Sequence, residues 1–225
     1  LADKANTNDL YQPIIPSAPR TLDSTGYVGF QTSIAIGLDG NPIISYYDSS
    51  NGNLKVAACT NPTCTAATTT TLDSTEDVGE HTSITIGLDG NPIISYWDFT
   101  NANLKVAACT NPTCNPTTSP ANTYTVDNNA GNVGRYTSIT IGTNGNPIIS
   151  YWDFTNGDLK VAACTNPTCN PTTSPANTYT VDNNAGNVGR YTSITIGTNG
   201  NPIISYWDFT NGDLKVAACT NPTCN

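Results

Sequence analysis

An aromatic ring followed by a carboxylate recurs four times in this chain, as Tyr47-Asp48, Trp97-Asp98, Trp152-Asp153 and Trp207-Asp208. Sugar-binding sites favour flat rings beside carboxylates and amides, so Trp97, Asp98, Trp152, Asp153, Trp207 and Asp208 are candidate ligand-binding residues. Packing between repeats accounts for the same rings without a ligand. Each aspartate also opens a loop. Asp153 to Asp158 and Asp208 to Asp213 each offer two carboxylates, a hydroxyl and an amide within six residues, the oxygen donors a calcium ion takes. In the first two repeats the second carboxylate is replaced by Asn53 or Asn103. The same loops therefore read as hairpins whose Asx side chains cap their own backbone. No cofactor is implied.

Hydrolytic chemistry has few candidates. Glu76 and Glu80 are the only glutamates and His81 the only histidine. With Asp77 they read as a solvated connecting loop, not as a pair of acids in distinct environments. A nucleophilic triad would have to take His81 as its base, and no serine or threonine stands out as its partner. Arg20, Arg135 and Arg190 are the only arginines. No catalytic residue is assigned, and the chain reads as a non-enzyme.

Eight cysteines fall into four copies of Cys-Thr-Asn-Pro-Thr-Cys, pairing Cys59 with Cys64, Cys109 with Cys114, Cys164 with Cys169 and Cys219 with Cys224. Asn-Pro is turn chemistry that brings the flanking sulfurs together. One pair per repeat reads as local disulfides and an oxidising compartment. Zinc would need two pairs per site, or histidines the chain lacks.

These residues sit on a repeat. Residues 115–169 and 170–224 are identical, and two looser copies precede them, with repeat cores at 32–64, 82–114, 137–169 and 192–224. In the third copy the strand-like segments are 138–141, 147–152 and 159–164, with 123–127 upstream; β-branched and aromatic residues concentrate there. Asn-Gly and Asp-Gly between segments are two-residue hairpin signals. Ile148, Ser150 and Trp152 share one strand face, and Ile149, Tyr151 and Asp153 the other. Apolar residues therefore lie on both faces, and each small sheet must be covered on both sides. Four-stranded antiparallel sheets of this kind, recurring every 50–55 residues, are propeller blades. The predicted fold is all-β: a four-bladed β-propeller of four-stranded antiparallel blades over 21–225. It is closed by the N-terminal strand, with Thr21 to Ser24 beside the last blade, and preceded by an extended arm at 1–20; the alternative is open stacking, or assembly with another chain into a larger ring. Repeated Asp48, Asp98, Asp153 and Asp208 are expected to pair with Lys55, Lys105, Lys160 and Lys215 inside each blade.

The words Gly-Asn-Pro-Ile-Ile-Ser-Tyr and Leu-Lys-Val-Ala, present in all four repeats, resemble bacterial secreted β-propeller repeat proteins with GNPxISYxD and LKxA blades. The resemblance implies fold and an extracellular setting.

A net charge of −9 argues against nucleic acid and acidic membrane surfaces, and no apolar run approaches the ~20 residues of a membrane span. The chain begins at Leu1 and holds no methionine, which reads as a processed product or a fragment. In the arm, Leu10, Tyr11, Ile14 and Ile15 cluster between prolines, which suits an extended segment docking on a second copy. Identical repeats, cystines and the arm together point to a secreted structural or adhesive subunit, extending to a filament. The alternative is a lectin-like module taking glycans. Peptide mapping without reduction is expected to recover the four local cystines; free thiols or bridges between repeats would overturn both pairing and compartment.

Overall fold

The computed structural model describes residues 18–115, 120–129, 131–173, 176–184 and 186–225. The expected arm at 1–20, with Leu10, Tyr11, Ile14 and Ile15, lies outside the described residues except for its last three. Among the described residues the chain is entirely β. The first blade is β1 (Val28–Ile36), β2 (Pro42–Asp48), β3 (Asn53–Cys59) and β4 (Ala67–Asp73). The second is β5 (Val78–Ile86), β6 (Pro92–Asp98), β7 (Asn103–Cys109) and β8 (Ala121–Asp127). The third is β9 (Val133–Ile141), β10 (Pro147–Asp153), β11 (Asp158–Ala163) and β12 (Asn177–Asp182). The fourth is β13 (Val188–Ile196), β14 (Pro202–Asp208) and β15 (Asp213–Ala218). Strand order in each blade follows chain order, and every pairing is antiparallel. This is the four-bladed propeller that the repeat predicts.

Both faces of each blade are used, as the alternation requires. Ile149 and Tyr151 pack with Ile93, Leu104 and Val106 of the second blade, whereas Ile148, Leu159 and Val161 pack with Val188, Ile194 and Ile204 of the fourth. One strand therefore belongs to two cores. Apolar burial at roughly 25 cal/mol per Å² is the main term holding blade to blade. Contact is close enough to require glycine. A Cβ on Gly79, Gly134 or Gly189 would lie 2.6 Å from the Cα of Leu54, Leu104 or Leu159 of the preceding blade.

The lysine pairing differs from expectation. Lys105 Nζ meets Asp73 Oδ2 at 2.7 Å and Lys160 meets Asp127 at 2.9 Å, in each case an aspartate ending the outer strand of the preceding blade. The aspartate of the same blade is farther, 3.8 Å for Lys105 and Asp98. Tyr96 and Tyr151 donate to the same two carboxylates at 2.6 Å. The in-blade aspartates are occupied elsewhere. Asp98, Asp153 and Asp208 each accept the backbone N–H of the asparagine three residues on, and the Asn side chain too. That is the Asx cap that competes with calcium in the loops 153–158 and 208–213.

Asp23 completes the set. Lys55 Nζ lies 2.6 Å from its carboxylate and Tyr46 donates at 2.7 Å, so the N-terminal segment presents to the first blade what β4, β8 and β12 present to the others. The N-terminal segment thus stands to the first blade as the other outer strands stand to theirs, and among the described residues the fourth sheet is left with three strands. Burial alone would push the Asp73 carboxyl up. Hydrogen bonds from Lys105, Thr75 and Tyr96 outweigh it and hold the group below the ordinary carboxylate range.

The cystines bridge the third strand to the outer connection as expected, with Cα atoms 4.9–5.1 Å apart.

Lys105→Met strands the Asp73 carboxylate in the interior and is expected to cost about 3–5 kcal/mol in urea unfolding. Lys215→Met should cost less, because Lys215 is 28% exposed against 11% for Lys105. Equal losses would show that burial does not set the strength of the pair.

Candidate functional site

The four inner strands carry two irregularities each, at the same places: one at the glycine after the first valine, and a second three residues on. Opposite Tyr46 of β2, β1 offers two residues, Gln31 and Thr32, because Phe30 pairs with Tyr47 and Ser33 with Ser45. The same two-against-one bulge recurs at His81-Thr82, Tyr136-Thr137 and Tyr191-Thr192. The first residue of each bulge is left-handed, with φ of 52° at Gln31, 55° at His81, 53° at Tyr136 and 53° at Tyr191. Non-glycine residues adopt this conformation at a cost of about 1–2 kcal/mol, and it recurs in every repeat, as it does at Cys64, Cys114, Cys169 and Cys224.

The bulges aim these side chains at one place. Gln31, His81, Tyr136 and Tyr191, with the threonine after each, line a cleft of about 250 Å³ where the four inner strands converge. The rings follow one another. His81 and Tyr136 centroids are 4.4 Å apart, and those of Tyr136 and Tyr191 4.2 Å. Gln31 Oε1 accepts from the His81 backbone N–H. Below them the threonines are pinned to the second strands. Thr82 Oγ1 donates to Ser45 Oγ at 2.8 Å, Thr192 and Ser150 hydroxyls meet at 2.7 Å, and Thr137 pairs with Ser95.

The cleft is uncharged at neutral pH. Burial, and then the Arg135 charge, lower the His81 pKa to about 4. Its 4.0 Å contact with Glu80 is accordingly not an ion pair near pH 7. Burial, and then Asp77, raise the Glu80 carboxyl above its ordinary value. Asp77 in turn accepts a hydrogen bond from Tyr47 at 2.6 Å. Glu80 and His81 were expected in a solvated loop. They lie on β5 instead, because the inner strand begins at Val78, five residues before the Ser-Ile-Thr-Ile segment that signals it in sequence.

The expected ring-and-carboxylate sites sit differently. Trp97 and Trp152 are buried, and Asp98, Asp153 and Asp208 cap their own turns. Arg135 lies over the Trp97 ring at 4.1 Å and the Phe154 ring at 4.7 Å. Arg190 repeats this with Trp152 at 4.3 Å and Phe209 at 4.0 Å. These cation–π sandwiches join consecutive blades. Phe99, Phe154 and Phe209, which follow the ring-and-carboxylate pairs, are each about half exposed. Phe154 and Phe209, with Thr155, Asn156 and Thr210, edge a second groove between the third and fourth blades. Among the described residues no cluster of three or more metal-ligating side chains forms, and no helix is long and apolar enough to cross a membrane.

No known family profile and no curated protein matches the chain. Solved structures match in fold. An endo-1,4-β-xylanase from Bacteroides thetaiotaomicron aligns with a TM-score of 0.56 and 16% identity, over 87% of this chain and 77% of that one. An exo-β-1,3-galactanase from Phanerochaete chrysosporium, solved with β-1,3-galactotriose, aligns at 0.56 and 9% identity, over 86% of this chain and 47% of that one. A GH43 β-1,3-galactosidase aligns at 0.52 and 10% identity. The chain spans 43% of the galactosidase's length. At such identities the likeness shows the fold. It still corrects three expectations. The similar structures are carbohydrate-active propellers and not the bacterial secreted repeat family. A non-catalytic structural or adhesive subunit, with its filament, no longer follows from the repeats, because propellers of this kind include glycosidases. For the same reason the assignment as a non-enzyme is not retained.

The His81 shift predicts an acid effect. A folded pKa of about 4, below the ordinary 6.5, leaves stability intact above pH 6.5 and erodes it as pH falls from there towards 4. His81→Gln, which copies the residue at position 31, should remove on the order of 2–3 kcal/mol of that loss. Parallel urea curves for both proteins across this range check it; identical pH dependence would mean that His81 is not buried neutral.

Proposed function

We propose that this propeller binds neutral carbohydrate, with the sugar seated in the axial cleft. The observation that carries the reading is the set of four strained bulges presenting Gln31, His81, Tyr136 and Tyr191 around one uncharged space. The rings of exposed Tyr191 and half-buried Tyr136 suit the apolar face of a pyranose, and the glutamine amide, imidazole and threonine hydroxyls suit its hydroxyls. A lining without ionised groups favours neutral over acidic sugars, since burying an unpaired carboxylate of the ligand is costly. Fold likeness to a xylanase and a galactanase supports the same substrate class. Four cystines suit an oxidising, extracellular setting. The arm at 1–20 remains a candidate for docking on a second copy through Leu10, Tyr11, Ile14 and Ile15.

A second reading, hydrolysis of the bound glycan, is favoured by the Glu80 and Asp77 pair. Burial, and then the neighbouring Asp77, raise the Glu80 carboxyl above its ordinary value, the direction a general acid requires, and a second carboxylate stands beside it. In that reading Glu80 donates a proton to the leaving oxygen, and Asp77 serves as base or nucleophile.

Calorimetric titration with xylotriose and β-1,3-galactotriose tests the first reading. Tyr191→Ala should weaken binding by at least about tenfold while the fold is kept. An absence of binding across a neutral glycan array by the unaltered protein would sink it. Reducing-sugar release that disappears in Glu80→Gln, with binding retained, would establish the second.

A further inference from the structure

The contact between consecutive blades is built three times inside the chain from the same residues. One side presents a leucine and a valine from the third strand. Leu54, Leu104, Leu159, Val56, Val106 and Val161 are all 0% exposed. The other side is the next inner strand, whose glycine admits the leucine backbone and whose isoleucine covers it. Polar contacts recur as well. The N–H of Val78, Val133 and Val188 donates to the carbonyl of Gly52, Ala102 and Gly157, at 3.0, 2.9 and 2.7 Å.

One half of this contact is left over at each end of the chain. On the fourth blade Leu214 is 83% and Val216 61% exposed. On the first blade Ile34 is 62% exposed, and Gly29, alone among the four equivalent glycines, has nothing within 4 Å of its ideal Cβ position. An apolar recess of about 270 Å³ lies there, lined by Val28, Gly29, Ile44 and Tyr46 among others.

We propose that these two faces are the halves of one further copy of the same contact, made head to tail between the fourth blade of one chain and the first blade of a second copy. The occupant follows from the chain's own interfaces. The exposed face of the fourth blade is residue for residue that of the third, because residues 115–169 and 170–224 are identical, and the third is already covered by an inner strand of this chain. The first blade carries the matching parts in the matching places. Leu214 meets Gly29, Thr32 reaches Ser205, and Val28 N–H points to the Gly212 carbonyl. The outer strand is provided too. β15 has a ladder partner on one side only, β14. Thr21-Leu22-Asp23 repeats the Thr71-Leu72-Asp73 of β4 and already holds Lys55 of its own first blade through Asp23. Docking therefore lays that segment of the second copy along β15 as its missing neighbour, a strand addition. The joined surfaces are unlike, so the contact is heterologous and repeats from copy to copy.

Sedimentation velocity over rising protein concentration tests this. The unaltered chain should shift to dimers and larger species, whereas Leu214→Asp with Val216→Asp should stay monomeric with an unchanged circular dichroism spectrum. A strict monomer at every concentration overturns the proposal. A chain carrying both Thr32→Cys and Ser205→Cys separates the occupants. Oxidation should give a ladder of covalent multimers on a non-reducing gel; a bridge formed only within one chain would mean that the first blade covers the fourth of its own molecule, and would also overturn it.

Discussion

A carboxylate at the end of each outer strand, shared by the tyrosine and lysine of the next blade, is the contact on which the propeller's order depends. Asp73, Asp127 and Asp182 each reach forward, and Asp23 does so from the N-terminal segment. Apolar burial supplies most of the attraction between blades but is non-directional. The buried charge is directional. A blade shifted by one residue would leave a lysine and an aspartate unpaired in the interior, a penalty of several kcal/mol. The latch thus selects one register among those the apolar faces would tolerate, and the inner strands inherit their alignment from it.

That alignment brings four bulges to one level. A left-handed glutamine, histidine or tyrosine is poorly tolerated alone; here His81, Tyr136 and Tyr191 are each braced by a hydroxyl pair beneath and by the ring or amide beside them. The strain is carried by contacts between blades and converted into a fixed display of side chains. Each bulge differs only in its tip, Gln31, His81 or the two tyrosines, so the cleft is asymmetric although the blades are nearly equal. A chain of near-equal repeats can therefore still present one asymmetric site.

The sequence exposes what is local and hides what is crossed. Asp-Gly and Asn-Gly turns, the Pro-Ile-Ile-Ser-Tyr strand and the cysteine spacing each declare themselves within a few residues, and blades and cystines form accordingly. The partner of Lys105 is 32 residues upstream on another sheet, and alternation cannot say which neighbour a face will meet. Trp97 was read as a sugar platform because exposure cannot be inferred from ring and carboxylate alone; the stacked Arg135, one repeat later, decides it. The bulges were equally hidden, since a tyrosine in a β-rich stretch is ordinary. One signal was available: the two residues between Val-Gly and Thr-Ser-Ile are where otherwise matching repeats change chemistry.

Two successive units without a single difference have a genetic consequence. Where the coding repeats are as alike as the units they encode, misalignment during copying adds or removes whole units. For most folds such an event would be ruinous. Here an added 55-residue unit brings its own aspartate, lysine, glycine and leucine, and meets each neighbour through contacts already present between the third and fourth blades. A change in unit number would thus be mechanically cheap at these joints.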